Sequence, residues 1–188
     1  YIDNGKAKKI KLKYNTNLTN VPAELMDKWK HFKRVQLNCS IDATGALDRY
    51  IRYPSNWEKI VENFENITKL ENAFVEIHCT VQMYNILKLH EFIEWAEPYG
   101  YKIYFNILNH PEVLNIRVLP EDLKKVVETR LHPYLHLPKV QGIIDYMWAE
   151  DWHDKYSGFL KYTKSLDESR KENLFDIVPE FLNVSTPR

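Results

Sequence analysis

The sequence is poor in the residues that build several common kinds of functional site. Only 2 of its 188 residues are cysteine, Cys39 and Cys79, too few for a disulfide framework or a four-cysteine metal site. Only 5 residues are glycine, and no glycine-rich phosphate-binding loop is present. Because the chain makes so little use of cysteine, we expect a reducing, cytoplasmic location.

Net charge and long apolar runs are lacking as well. Lys plus Arg and Asp plus Glu number 26 each, so the formal net charge is 0 and no overall field attracts nucleic acid or an anionic membrane. No apolar segment approaches the length of a membrane span. We therefore expect neither nucleic acid nor a membrane among the partners of this protein.

Strand-like runs alternate with helical runs along the first part of the chain. Alternation of this kind predicts an α/β fold with a parallel sheet and right-handed crossovers. Ser55 and Glu58 have the spacing of a capping box at the start of one helix. Residues 1–118 form the strand–helix part, and residues 119–188 form a mostly helical C-terminal region. The predicted strands are Lys9–Asn15, Arg34–Ile41, Phe74–Val81 and Tyr101–Leu108, with a further short strand at Asn115–Leu119.

The predicted strands alternate apolar and polar residues, although parallel strands covered on both faces usually read as continuous apolar runs. The sheet should therefore have one apolar face for helices and one polar face. A polar interior favours an open barrel with a solvated cleft over a filled one. The alternative is a sheet with helices on one side and water on the other. The second strand illustrates the pattern, with Val35, Leu37, Cys39 and Ile41 opposed to Gln36, Asn38, Ser40 and Asp42.

Polar residues also recur where the predicted strands end. In parallel α/β folds the carboxyl ends of the strands are where ligands bind. Each of these residues could instead cap a helix or form a turn, and only their recurrence favours a site. The residues are Asn15, Thr16, Asn17, Ser40, Asp42, Gln82, Asn85, Asn106 and Asn109.

Six short segments are informative through their order and spacing, namely 14–19 (YNTNLT), 40–45 (SIDATG), 50–54 (YIRYP), 81–86 (VQMYNI), 119–124 (LPEDLK) and 176–181 (DIVPEF). Together they resemble radical S-adenosylmethionine (radical SAM) proteins with a twitch or SPASM-type C-terminal extension.

The resemblance implies a partial (β/α)6 barrel of the TIM type, of which this chain would supply the third to sixth strands. The first strands, and the three spaced cysteines that hold the [4Fe-4S] cluster, would lie upstream of Tyr1. Cys39 and Cys79 do not match that motif and are interpreted as core residues on the apolar face. The chain would then be a fragment of an oxidoreductase, acting on a small molecule or a peptide and inactive alone.

The resemblance also implies a site for S-adenosylmethionine at the carboxyl ends of the strands. Ser40 and Arg52 match the positions that bind the methionine moiety and the ribose, and Asp42 would hold the turn between them. Four further residues would border the cofactor, the adenosine or the substrate, namely Thr16, Asn17, Gln82 and Asn85.

Several of these residues have other interpretations. Arg52 could pair with Asp48, four residues before it on a short helix. His78 could be an acid–base group in the cleft or a hydrogen-bonded structural residue. His132 and His136 have the spacing of two metal ligands, but no third ligand is evident.

The chain as a whole also has an alternative interpretation. It could be a cluster-free α/β binding or interaction module. Such a module could dimerise through the exposed edge of the first strand, KIKLKYN.

Overall fold

The computed structural model describes residues 1–182, so the last six residues of the predicted C-terminal region, 183–188, lie outside it. Four strands form one parallel sheet in the order β1-β2-β3-β4. The α/β fold with a parallel sheet is therefore confirmed. The strands are β1 (Lys11–Thr16), β2 (Arg34–Ser40), β3 (Ala73–Val81) and β4 (Lys102–Ile107).

Helices connect the strands and form most of the chain after β4, as the sequence predicts for the C-terminal region. Short turns of 3₁₀ helix join several of them. The helices of the described residues are α1 (Ala23–Trp29), α2 (Gly45–Ile51), α3 (Trp57–Thr68), α4 (Met83–Ile86), α5 (Leu89–Ala96), α6 (Glu121–Leu131), α7 (Val140–Ala149), α8 (Tyr156–Arg170) and α9 (Leu174–Ile177). None of the helices within residues 1–182 has the length and apolar character needed to cross a membrane.

The core lies against one face of the sheet. Leu37, Cys39 and Ile77 are fully buried on β2 and β3, at the alternate positions that the sequence predicts to be apolar. Helix α3 contributes Phe64 and Ile67 to the same core. Burial of each such large side chain contributes about 1.5–3 kcal/mol, so this face holds the sheet and its helices together.

Both cysteines lie in this core as free thiols, as the alternation predicts. Burial raises the pKa of the Cys39 thiol to about 12 and also raises that of Cys79, because the thiolate loses its hydration in an apolar environment. At neutral pH both side chains are therefore neutral and act as small apolar residues.

Two local predictions are wrong. The N-cap of α3 is Asn56, whose Oδ1 accepts a hydrogen bond from the Lys59 backbone N at 2.8 Å, and not Ser55. Asn and Ser are nearly equal as caps, and tertiary packing directs Ser55 elsewhere: its Oγ donates to the buried Asp48 at 2.7 Å.

The predicted strand Asn115–Leu119 is also absent. Two 3₁₀ turns, Glu112–Leu114 and Ile116–Val118, take its place. The Oδ1 atom of Asn115 accepts a hydrogen bond from the backbone N of Arg117 at 3.0 Å, which closes the turn that interrupts an extended run.

Candidate functional site

The polar face of the sheet carries a two-dimensional array of polar side chains. Because the strands are parallel and in register, residues of neighbouring strands stand side by side across it. The central row is Asn15, Asn38, Glu76 and Lys102, and the next row toward the carboxyl ends is Ser40, His78 and Tyr104.

Glu76 is the centre of a hydrogen-bonded network on this face. Its Oε2 accepts from Gln36 Nε2 at 2.8 Å, and its Oε1 accepts from the Tyr104 hydroxyl at 3.1 Å. Asn38 extends the network toward β1 by donating to the Oδ1 of Asn15 at 2.8 Å. Because Glu76 is only 9% exposed, its carboxylate has lost most of its hydration. The hydrogen bonds from Gln36 and Tyr104 compensate that loss. The network fixes the side chains of all four strands relative to one another.

His78 lies one row nearer the carboxyl ends. Its ring stacks on the ring of Tyr104, with centroids 4.8 Å apart and planes within 15°. Its Nε2 is buried and has no hydrogen-bond partner among residues 1–182. Burial lowers the pKa of His78, the nearby Glu76 carboxylate opposes this effect, and Lys13 adds to it. His78 is thus held by stacking and is mainly neutral at pH 7.

Asp42 organises the turn that follows β2, as the sequence predicts. Its Oδ1 accepts from the Thr80 backbone N at 2.7 Å, which ties this turn to β3. Its Oδ2 forms an ion pair with Arg52 at 2.7 Å. Burial raises the pKa of the Asp42 carboxyl, and the Arg52 guanidinium opposes that rise.

Arg52 is therefore paired with Asp42 and not with Asp48. Asp48 interacts with Arg52 through the backbone, where its carbonyl accepts from the Arg52 N at 2.9 Å. The Arg52 side chain is about one quarter exposed, and its Nε is buried without a partner in the described residues. A ligand acceptor at this nitrogen would satisfy a donor that the protein leaves unpaired.

Gln82 and Asn85 form a capping box at the start of α4. Asn85 is 1% exposed, and its Oδ1 accepts from the Gln82 backbone N at 2.8 Å. Its Nδ2 donates to the carbonyl oxygens of Asp42 and Thr80, both at 2.8 Å. The Asn85 amide thus uses its oxygen and its nitrogen in hydrogen bonds with the backbone. These bonds connect the ends of β2 and β3.

Thr16 and Asn17 lie in the turn after β1. Thr16 Oγ1 accepts from the Leu18 backbone N at 3.0 Å, and Asn17 Oδ1 accepts from Thr19 N at 3.2 Å and Oγ1 at 2.9 Å. Leu18 has a φ of 62°, a left-handed conformation that these side-chain bonds help to hold. The buried amide of Asn63 donates to the Leu18 carbonyl at 2.6 Å and anchors the turn to α3.

The structure brings part of the predicted set together. Arg52, Asp42 and Asn85 form one connected group where β2 and β3 end, and Gln82 joins it through Asn85. Thr16 and Asn17 stand at the end of the neighbouring edge strand, in a separate hydrogen-bonded turn. The side chain of Ser40 makes no hydrogen bond with another residue of the described chain, so its hydroxyl is available to a ligand.

The described residues do not fit the ligands of an iron–sulfur cluster. Within residues 1–182 no group of three or more His, Cys, Asp or Glu side chains is placed to hold a metal ion. Cluster ligation requires thiolates, whereas Cys39 and Cys79 are buried with raised pKa values. His136 Nε2 instead contacts Glu97 Oε1 at 2.6 Å.

Sequence reasoning missed the central place of Glu76 in this network. The signal was present in the alternation, which assigns Glu76 to the polar face. The row that each residue occupies depends on strand register, which alternation alone does not specify.

Comparison of the chain with protein-family models, with curated proteins and with solved structures finds no match.

Proposed function

We propose that this chain forms part of an open (β/α)6 barrel and supplies part of the S-adenosylmethionine and substrate cleft of a radical SAM oxidoreductase. The proposal joins the resemblance of the six sequence segments to the geometry of the sheet. The cluster ligands of such an enzyme would come from outside residues 1–182.

One observation carries the proposal: the parallel strands are in consecutive order, and their polar face is built as a hydrogen-bonded array. Because strand–helix–strand crossovers are almost always right-handed, consecutive order places the connecting helices on one face of the sheet. Doubly wound folds reverse the strand order and cover both faces. A singly wound sheet with a polar inner face is what a barrel with a solvated cleft requires.

Ser40 and Arg52 are the residues that would hold S-adenosylmethionine. The free hydroxyl of Ser40 suits a ribose or amino group, and the guanidinium of Arg52 suits a carboxylate. Asp42 would fix the orientation of Arg52 through their 2.7 Å ion pair. The Asn85 amide atoms are engaged with the backbone, so Asn85 would not contact the cofactor through them. It would instead hold the turn that borders the cofactor. The iron–sulfur cluster of the whole enzyme would supply the radical chemistry.

The test uses the complete product of the gene that encodes this chain, purified without oxygen and with its iron–sulfur content restored. We expect reductive cleavage of S-adenosylmethionine, measured as methionine released. Ser40→Ala and Arg52→Gln should each raise the KM for S-adenosylmethionine by roughly tenfold, the effect of one lost polar contact. Arg49→Gln is the matched control, because Arg49 is exposed and lies on α2, the helix whose C-cap is Arg52.

Two results would contradict the proposal. One is a complete gene product that has no cluster cysteines and does not cleave S-adenosylmethionine. The other is a redox-active cluster reconstituted on residues 1–188 alone, because the described part of the chain offers no ligands for it.

A cluster-free binding module is the second candidate, and the position of β1 favours it. β1 is an edge strand, so one row of its backbone groups faces away from β2 and is open to pairing with another chain. A dimer seen by sedimentation equilibrium, and abolished by Leu12→Pro, would support this candidate. A monomer at all concentrations would count against it.

A further inference from the structure

Charge is distributed unevenly along this neutral chain. Residues 1–34 contain nine Lys and Arg but only three Asp and Glu, which gives them a net charge of +6. Because the whole chain is neutral, the remaining residues carry −6. The expectation that nucleic acid is not a partner depends on the total charge alone, whereas a strongly basic segment of this kind attracts an anionic partner.

The fold brings the basic segment together at the amino end of the sheet. The 3₁₀ turn Lys6–Lys9 precedes β1. The backbone N of Lys33 donates to the carbonyl oxygens of Ala7 at 3.3 Å and Ile10 at 3.0 Å, so this turn lies beside the start of β2. Four lysines of the turn and of the residue before β2 are exposed and form no ion pair within residues 1–182, namely Lys6, Lys8, Lys9 and Lys33.

The acidic residues of the segment leave this charge largely uncompensated. Glu24 forms an ion pair with Lys28 at 2.6 Å, and Asp27 forms one with Lys30 at 2.7 Å, both on or at the end of α1. Asp3 is the only other acidic residue among residues 1–34. The surplus of positive charge therefore lies on the 3₁₀ turn, on β1 and at the start of β2.

The amino half of the polar face combines exposed cations with an exposed aromatic ring. Lys13, Gln36 and Phe74 are neighbours across β1, β2 and β3, and Lys11 and Arg34 form the next row toward the amino end. All three cations are exposed and form no ion pair in the described residues. Phe74 is 41% exposed, and the Arg34 guanidinium lies 4.2 Å from the centroid of its ring.

This combination fits the chemistry of a single-stranded nucleic acid. Lysine and arginine neutralise phosphate groups, and unpaired bases stack on aromatic rings and on guanidinium planes. An anionic membrane or an acidic protein would also use the cations. However, a single Phe74 beside Gln36 on a flat sheet face offers no apolar patch for insertion into lipid or for packing against a protein.

We propose that the amino half of the polar face binds single-stranded nucleic acid, with phosphates on Lys11 and Lys13 and a base stacked on the pair of Phe74 and Arg34. The lysines of the 3₁₀ turn extend the cationic track beyond the sheet. This inference goes beyond the proposed function and does not depend on it, because the residues assigned to S-adenosylmethionine lie at the carboxyl ends of the strands.

Fluorescence anisotropy of labelled strands, titrated with the full 188-residue chain, tests the proposal. The probes are oligouridine, oligodeoxythymidine and a deoxyribose–phosphate strand without bases, each about 12 nucleotides long, a length typical of single-strand binding sites. We expect both probes that carry bases to bind, and the strand without bases to bind roughly tenfold more weakly. Tighter binding of the RNA would identify a contact with the 2′-hydroxyl, and equal binding would identify a site for phosphates and base faces.

The contribution of the cations is tested by Lys13→Gln, with Lys161→Gln as the matched control. Both residues are exposed lysines without an ion pair within residues 1–182, but Lys161 lies on α8. Each phosphate neutralised on a single strand contributes about 0.7 to the slope of log K against log salt concentration. Lys13→Gln should reduce that slope by about 0.7 and weaken binding several-fold, and Lys161→Gln should change affinity less than about twofold.

The contribution of stacking is tested by Phe74→Ala, with Tyr162→Ala as the matched control. The exposed fractions of the two residues are similar, 41% and 44%. Phe74→Ala should weaken binding of the strands with bases roughly tenfold and leave the salt slope unchanged. Unchanged binding of the strand without bases shows that the variant is folded. Tyr162→Ala should leave the affinity for all three probes unchanged.

Several results would overturn the nucleic-acid site. One is equal binding of strands with and without bases, and another is equal effects of Phe74→Ala and Tyr162→Ala. Tighter binding to vesicles of phosphatidylserine and phosphatidylcholine, or to polyglutamate, would assign the surface to a membrane or to an acidic protein instead. Absence of binding to either oligonucleotide at about 50 mM salt would also refute it. Loss or retention of S-adenosylmethionine cleavage in the complete gene product has no bearing on these outcomes.

Discussion

Asn85 should contribute more to the stability of this protein than any exposed asparagine. Its side chain is almost fully buried and makes three hydrogen bonds of 2.8 Å, one to the Gln82 N and two to the carbonyl oxygens of Asp42 and Thr80. These bonds connect the chain after β2 with the chain after β3. Asn85→Ala removes all three and leaves buried backbone groups without these partners.

The expected loss follows from the number of bonds. A typical intramolecular hydrogen bond contributes about 1 kcal/mol net, and a buried group left unsatisfied costs about 1–3 kcal/mol. Three bonds then give a decrease in the free energy of unfolding of about 3–5 kcal/mol. That is a large part of the ~5–15 kcal/mol by which domains are stable.

Urea unfolding followed by tryptophan fluorescence measures this loss, provided that the m-value is unchanged. Asn20→Ala is the matched control, since Asn20 is exposed and a substitution at such a site changes stability by less than about 0.5 kcal/mol.

Asn85→Asp separates the donor contribution of Asn85 from its acceptor contribution. The aspartate keeps an oxygen for the Gln82 N but places a second oxygen against two carbonyl groups, so it should destabilise at least as much as alanine. An Asn85→Ala variant within about 0.5 kcal/mol of the wild type would refute the assignment of these bonds.

Two further predictions concern buried ionisable groups. Asp48 is fully buried, and burial raises its pKa, so its charged form is unfavourable in the folded state. Asp48→Asn should therefore increase the free energy of unfolding by roughly 1 kcal/mol near pH 7. The difference in stability between the two proteins should shrink as pH falls through the raised pKa of Asp48 toward the ordinary value, because the wild-type carboxyl becomes neutral there. A constant difference down to about pH 4 would contradict this. Cys39 and Cys79 should react with Ellman's reagent near pH 8 only after unfolding, and rapid reaction of the native protein would show an accessible thiolate.

The fold class and the two faces of the sheet can be predicted from the amino-acid sequence alone. Four strands with alternating residues predicted a parallel sheet with Leu37, Cys39 and Ile77 on a buried face, and the structure confirms it. Alternation is sufficient for this because successive side chains of a strand point to opposite faces whatever the strand pairs with. The polar character of the other face follows from the same pattern.

Which polar residues contact one another depends on the tertiary structure. Arg52, the C-cap of α2, could have paired with Asp48 four residues before it, but it pairs with Asp42 on the turn after β2. Asn85 bonds to backbone atoms at the ends of two strands. The sequence spacing of these residues did not specify either contact, because each depends on how β2 and β3 align and on where α2 packs.

Tertiary contacts also changed two local features that the sequence predicted, the N-cap of α3 and the strand Asn115–Leu119. Ser55 and Asn56 are both good N-caps, and Asn56 became the cap of α3 because the buried Asp48 engages the Ser55 hydroxyl. Likewise, the apolar residues after Asn115 suggested a strand until the Asn115 side chain closed a 3₁₀ turn. The alternation of side chains along a strand is a local property of the backbone, whereas a buried carboxyl or amide takes the partner that the packed elements place beside it.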